Sequence, residues 1–253
     1  MKVSIITVVR NNEETIKDAI DSVLSQTYDN REYIIIDGAS TDGTVEIIRS
    51  YGDKISKFVS ESDKGIYEGM NKGLKEATGD IIGILNSDDF YANEQIIENI
   101  VKIMEESSVD SCYGDILYVD RSNLDKIVRV WKAGNFDRTK FRYGWMPPHP
   151  SFFCKRVIFE KYGYMNTDFP LAADYELMLR FLYKYNVSTV YIPEVIVKMR
   201  AGGTSRIGKY TIGAIRENYL AWKVNGLNYP VTMLFKPFSK IGQLFKRRFI
   251  CLY

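Results

Sequence analysis

Lys2-Val3-Ser4-Ile5-Ile6-Thr7-Val8-Val9 opens the chain as a β-branched run. Such a run predicts a strand buried on both faces, as in a parallel sheet covered by helices. Asn11 stands where it can cap a following helix, with Glu14 three residues on in a capping-box arrangement. Ile16, Ala19, Ile20, Val23 and Leu24 then recur at helical period. Outward from there the alternation repeats. Residues 33–36 predict a second buried strand ending at Asp37-Gly38, 44–50 a helix, and 58–59 a short strand. Residues 66–77 predict a helix closed by Gly79. A fourth strand, 81–85, runs into Asn86-Ser87-Asp88-Asp89, and a helix covers 94–104. This order implies an α/β fold with a mostly parallel sheet flanked by helices. After about Ser111 the pattern predicts a hairpin of 115–119 with 127–131 and a rigid Met146-Pro147-Pro148-His149-Pro150 loop. A helix over 176–185 and two short strands, 189–192 and 195–199, follow.

Composition narrows the chemistry. Hydrophobic residues at 45% and charged residues at 26% of 253 exclude disorder, collagen and a disulfide scaffold. One histidine excludes a catalyst built on several, so acid–base work must rest on carboxylates. Cys112, Cys154 and Cys251 are odd in number and lack C-x-x-C spacing, so neither zinc nor a disulfide framework is supported, and a reduced cytoplasmic setting is the default. The N-terminus lacks a signal-peptide pattern, and no window reaches the ~18 apolar residues of a membrane span. The net charge of +2 is too weak to argue for nucleic acid. It hides an asymmetry: from Arg206 on, nine basic residues face the single acid Glu217, so +8 there balances −6 before it.

In open α/β sheets ligands sit beyond the carboxyl ends of the strands. Asp37 follows the second strand, and Asp88-Asp89 follow the fourth. A lone Asp after a strand is often a turn former. Adjacent carboxylates repel, and a magnesium or manganese ion shared with phosphate oxygens is the usual reason to place them together. Gly38 and Gly43 have the spacing of a phosphate loop, but Thr44 stands where the loop's lysine must be. No G-x-G-x-x-G follows a strand, which disfavours a dinucleotide dehydrogenase. Asp174 opens a late helix. Spacing alone favours an N-cap there over a carboxylate at the mouth of a site. His149, fixed between prolines, either braces its loop or contacts a ligand.

Several segments, in this order, resemble the family 2 glycosyltransferases, which have the GT-A fold. They are Ser4-Ile5-Ile6-Thr7-Val8-Val9-Arg10-Asn11, Ile36-Asp37-Gly38-Ala39-Ser40-Thr41-Asp42-Gly43-Thr44 and Ser60-Glu61-Ser62-Asp63-Lys64-Gly65-Ile66-Tyr67. Met70-Asn71-Lys72-Gly73, Ala77-Thr78-Gly79-Asp80, Leu85-Asn86-Ser87-Asp88-Asp89, His149-Pro150 and Ala173-Asp174-Tyr175-Glu176 complete the set. The Asp-Lys-Gly-Ile-Tyr and Asn-Lys-Gly segments are most similar to the branch that builds bacterial capsule, O-antigen and exopolysaccharide. The resemblance implies a catalytic domain over 1–205, with a donor-binding half 1–110 and an acceptor-side half 111–205, and a basic helical extension over 206–253. It implies that Thr7 and Asp37 lie on the donor side, Asp37 at the nucleotide base. Asp88 would face the ribose, Asp89 would hold a divalent metal (Mn2+ or Mg2+), and Asp174 would act as general base. Ala173 reduces the family's acidic pair to one carboxylate. Met70 stands where many members carry arginine, and Lys64 is the candidate for that charge. Arg206 falls in a stretch similar to the loop that closes over the donor, and His149 would contact the acceptor or the diphosphate.

The activity so implied is inverting transfer from a nucleotide-diphosphate sugar, most commonly a UDP-sugar. The acceptor would be a lipid-linked or oligosaccharide hydroxyl, commonly on polyprenyl diphosphate at the inner membrane face. A sugar nucleotidyltransferase would need a glycine-rich, arginine-bearing loop where this chain has Arg10-Asn11-Asn12-Glu13. A non-catalytic carbohydrate- or nucleotide-binding module is disfavoured by the four carboxylates.

The aromatic residues, 13% of the chain, divide in this reading between a sugar-binding face and the end of the chain. There Phe238, Ile241, Phe245 and Phe249 recur at helical spacing, with Lys240, Gln243, Lys246 and Arg247 largely between them. A basic amphipathic helix reads as an element for an anionic membrane surface; a terminal helix packed on its own domain is the alternative. Deleting residues 230–253 is expected to weaken sedimentation with anionic liposomes more than nucleotide binding. Unchanged liposome partitioning would exclude the membrane reading.

Overall fold

The computed structural model describes residues 1–202 and 211–227. Arg206 and the amphipathic pattern after Pro230 lie outside the described residues. The chain begins with β1 (Val3–Val9), α1 (Ile16–Leu24), β2 (Arg31–Asp37), α2 (Thr44–Ser50), β3 (Lys57–Ser60), α3 (Ile66–Glu76) and β4 (Ile81–Ile84). It continues through β5 (Asp89–Tyr91), α4 (Ile96–Glu106), β6 (Ser111–Val119), β7 (Ile127–Trp131), β8 (Phe153–Lys155) and α5 (Arg156–Tyr162). The described residues end with α6 (Ala173–Met178), β9 (Thr189–Arg200) and α7 (Thr211–Val224). The strands form one sheet in the order β3-β2-β1-β4-β8-β6-β9-β5, with β7 paired to β6. The first four strands are parallel, as are β6 and β9, so most of the paired residues are in parallel register. β8, β5 and β7 join antiparallel.

All seven residues of β1 are buried. Ile6 and Val8 pack with Ile34, Met70 and Leu74 on one face. Val3, Ile5 and Val9 pack with Ile16, Ile20, Val23 and Ile97 on the other. Each such side chain contributes about 1.5–3 kcal/mol when fully buried. Helix α3 approaches β1 closely because Gly73 has no side chain; a Cβ there would stand 2.4 Å from Ile6 Cγ2.

Three local expectations are corrected. The capping box does not form. Asn11 adopts φ 49° and its side chain accepts from the Thr41 amide, while Glu14 pairs with Arg121. Helix α1 begins at Ile16, with the Asn12 carbonyl accepting from Thr15 and Ile16. The two short strands near 189–199 are one strand, β9, which bulges opposite Asp115. The late helix starts at Ala173 and changes to a π-helix over Leu179–Lys184.

Many aromatic residues serve packing. Tyr113, Phe141 and Phe181 are fully buried, and Trp145 meets Tyr113 and Phe141 edge-on. Helix α7 is tied to α6: Trp222 Nε1 donates to the Tyr175 hydroxyl at 2.8 Å and Asn225 Nδ2 to Glu176 Oε1 at 3.2 Å. Arg180 pairs with Glu176 and donates to the carbonyls of Tyr162, Gly163 and Tyr164 at 2.6–2.8 Å. Among the described residues no helix is long and apolar enough to cross a membrane.

At the amino edge of the sheet, Glu32 joins β2 to the chain on both sides of β1. It accepts from Ser4 Oγ and Lys2 Nζ at 2.5 Å, the Thr78 amide at 2.6 Å and Thr78 Oγ1 at 2.8 Å. Burial alone would raise its titration. The donors, Lys2 foremost, override it and bring the carboxyl from its ordinary 4.5 to about 2. The folded value lies below the unfolded one, so the stabilisation is complete above pH 4.5 and is lost as pH falls toward 2. Glu32→Gln is expected to cost about 1–3 kcal/mol near neutral pH. Urea unfolding should show the deficit shrinking toward pH 2.

Candidate active site

The loops after β1, β2 and β4 leave the sheet at one carboxyl edge and are laced together there. Asn11 N donates to Ser40 Oγ and Asn11 Oδ1 accepts from Thr41 N, both at 2.8 Å. Asn12 N donates to Thr44 Oγ1 at 2.8 Å and Asn12 Nδ2 to Ser87 Oγ at 2.9 Å. Asp37 is fully buried. It accepts from the Ser40 amide, the Ser40 hydroxyl and, at 2.6 Å, the Ser60 hydroxyl. Its carboxylate thus shapes the 38–44 loop. In that loop the amides of Ser40, Thr41, Gly43 and Thr44 go to Asp37, Asn11, Glu13 and Asp42. These amides are spent within the protein, which is the physical reason the glycine spacing does not make a phosphate loop.

Asp88 and Asp89 follow β4 at the same edge, and Asp89 begins β5. Asp89 is 1% exposed. Its Oδ2 accepts from Asn86 Nδ2 at 2.8 Å, and its Oδ1 is buried with no partner. Burial foremost, then the charge of Asp88, pushes the carboxyl up to about 8. Arg200, at the end of β9, steadies this corner by donating to the Asp88 carbonyl at 2.8 Å and pairing with Asp18.

Asp174 lies in the first turn of α6, whose N-cap position is Ala172. The N-cap reading of Asp174 is therefore overturned. Its Oδ1 instead accepts from the Tyr67 hydroxyl at 3.2 Å. Tyr67 stands in the first turn of α3, which starts at the carboxyl edge after the 61–65 loop. His149 opens a short 3-10 turn, His149–Ser151, held to β6 by Ser151 Oγ donating to the Gly114 carbonyl at 2.8 Å. Burial pushes the His149 imidazole down, and the Asp174 carboxylate opposes that shift. His149 therefore lies within electrostatic reach of Asp174, between the two roles that sequence left open.

The structure separates the other expected residues. Thr7 is fully buried within β1, and its Oγ1 accepts from the Tyr33 hydroxyl at 3.0 Å. Lys64 is exposed in the 61–65 loop, and its amide donates to Glu68 Oε2 at 2.5 Å. Asn71, part of a quoted segment, is structural: its side chain exchanges two hydrogen bonds with the Met165 backbone, at 2.8 and 2.9 Å. Tyr67 and Arg200 carry no sequence signal of their own for this edge. Tyr67 sits inside a quoted segment, but its hydroxyl acquires meaning only from a contact 107 residues away.

Among the described residues no group of three or more His, Cys, Asp or Glu forms a metal cage. A cation held with substrate phosphates needs only one or two carboxylates. The unpartnered, buried Asp89 Oδ1 beside the second carboxylate of Asp88 fits that case.

Residues 4–163 match the family model for glycosyl transferase family 2. The chain is 32% identical over 207 residues to the UDP-Glc:alpha-D-GlcNAc-diphosphoundecaprenol beta-1,3-glucosyltransferase WfaP of Escherichia coli, covering 80% of this chain and 79% of that one. It is 31% identical to an uncharacterized glycosyltransferase of Rickettsia typhi, covering 78% of this chain but 63% of the relative's length. S. aureus TarS 1-349 in complex with UDP-GlcNAc shares the fold at TM-score 0.71 and 16% identity, over 94% of this chain and 73% of that one. The mannosyltransferase PcManGT of Pyrobaculum calidifontis, in complex with GDP-Man and Mn2+, matches at TM-score 0.66 and 18% identity, over 95% and 69%. These likenesses bear out the GT-A fold.

Asp89→Asn removes a buried charge that lacks a full set of donors. The folded carboxyl titrates above its unfolded counterpart. Wild-type stability from this group is therefore complete below about pH 4 and lost as pH rises toward 8. The variant is expected to melt progressively higher than wild type across that range. It should also lose any melting increase that Mn2+ gives the wild type. A pH-independent melting difference would contradict the burial argument.

Proposed function

The chain belongs to glycosyl transferase family 2, and on that premise we propose that it moves a hexosyl group, with inversion, from a nucleotide-diphosphate sugar to an acceptor hydroxyl in bacterial surface polysaccharide assembly. The observations that carry this reading are Asp174, hydroxyl-bonded to the first turn of α3, and Asp89, buried and half-satisfied after β4. A UDP-sugar donor is supported by the E. coli relative, named for UDP-Glc, and by TarS, solved with UDP-GlcNAc. A polyprenyl-diphosphate-linked acceptor is supported by the same relative's name. Because the chain spans 63% of the Rickettsia relative and 44% of the longer TarS chain, donor, acceptor and pathway are all part of the proposal.

In this mechanism Asp174 takes the proton of the acceptor hydroxyl as that oxygen attacks the anomeric carbon from the face opposite the diphosphate. His149, biased toward its neutral form by burial, lies within electrostatic reach of the same carboxylate. Asp37 holds the 38–44 loop, and with it the edge that a nucleotide base would meet. Asp89, with Asp88 beside it, would hold Mn2+ or Mg2+, which would supply Lewis-acid neutralisation of the leaving diphosphate. Lys64 and Arg206 complete the proposed donor contacts. The reaction would take place at the cytoplasmic face of the membrane, with the basic end of the chain on anionic lipid and no nucleic acid partner.

A carboxylate base contributes about 10²–10⁴-fold in rate. Asp174→Asn is expected to lose that much transfer while its calorimetric affinity for UDP changes less than about 2-fold. Full transfer by the variant would move the base elsewhere. A thermal-shift screen of nucleotide sugars with Mn2+ should raise the melting temperature most for the true donor, by mass action.

A further inference from the structure

We propose that Tyr67 is the positioning residue of the site: its hydroxyl fixes the Asp174 carboxylate so that one oxygen is committed and the other faces the acceptor. This inference rests on the reading of Asp174 as base. Its first support is direct geometry, the Tyr67 hydroxyl donating to Asp174 Oδ1 at 3.2 Å. The second is the way the hydroxyl is delivered. Tyr67 is in the first turn of α3, and α3 cannot easily shift. A Cβ on Gly69 would come within 2.6 Å of Val8 Cγ1, and on Gly73 within 2.4 Å of Ile6 Cγ2. Asn71 on the same helix is fixed by its pair of bonds to Met165. The donor thus stands on a helix pressed against the central strand, whereas Asp174 stands on a short helix that follows a loop.

The charged and titratable groups around the pair leave Tyr67 as the donor. His149 approaches from the 3-10 turn, buried and biased toward its neutral form. Glu217 of α7 is near Tyr67, but its carboxylate accepts from the Leu171 amide at 2.8 Å. Glu176, two residues along α6, is held by Arg180. Burial foremost, and then the Asp174 charge, raises the Tyr67 phenol well above its usual range. The hydroxyl therefore stays protonated and donates wherever the enzyme would work. A carboxylate with one oxygen so engaged has its torsion set before the acceptor arrives, which is the geometric condition for efficient proton transfer.

The direct test needs no substrate. With 3-fluorotyrosine at position 67, the 19F resonance is expected to shift through the acid range as Asp174 gains its proton, and to lie flat in an Asp174→Asn background. A resonance that titrates identically in both backgrounds would overturn the inference. Tyr67→Phe keeps the ring and its packing. With UDP-glucose as donor and GlcNAc-diphosphoundecaprenol as acceptor, it is expected to lower kcat about 10-fold. The acid limb of the pH–rate profile should move toward neutrality, and UDP affinity should be unchanged. An unmoved acid limb would mean that Tyr67 only packs. Full transfer by Asp174→Asn would instead sink the base assignment, so the two failures are distinguishable.

Discussion

Strand β1 lies between β2 and β4 with every residue buried, and this double burial sets the conditions for everything around it. A backbone enclosed on both faces must satisfy its amides and carbonyls through its neighbours, which it does by parallel pairing in unbroken register. Polar side chains then have few places to go. Thr7 finds Tyr33, and Ser4 finds Glu32. The remaining polar groups collect where the strands end. Asn11, Asn12, Asp37, Ser87, Asp88 and Asp89 share one edge for that reason.

Two buried carboxylates at opposite ends of the sheet show what satisfaction is worth. Glu32 has donors from Lys2, Ser4, Thr78 and the Gly79 amide, and titrates at about 2. Asp89 has one donor side chain, a like charge beside it and an unpartnered oxygen, and titrates at about 8. A group of the first kind holds strands together. The second kind costs stability when charged, and groups so perturbed cluster at functional sites.

Much of this was legible in the sequence. The runs at 2–9, 33–36 and 81–85 mark β1, β2 and β4 to within two residues, because burial on both faces leaves an apolar signature. Asp37 and Asp88-Asp89 were recognisable from the strands they follow, whereas Asp174 read locally as a cap and entered as a site residue only through the family resemblance. Their partners were not. Asn11 looks like a helix cap locally, yet Thr41, thirty residues on, takes its side chain. Asp174 looks like a cap too, and Tyr67 claims it. Thr7 pairs with Tyr33, twenty-six residues on. In each case a contact distant in sequence outcompeted a local one, and spacing carries no record of such contacts.

The guanidinium of Arg180 joins the carbonyls that end α5 to Glu176 of α6, and Asn225 carries the same carboxylate onward to α7. These bonds tie the three elements to one another. The position of Asp174 is thereby linked to that of α7, more than thirty residues further along the chain.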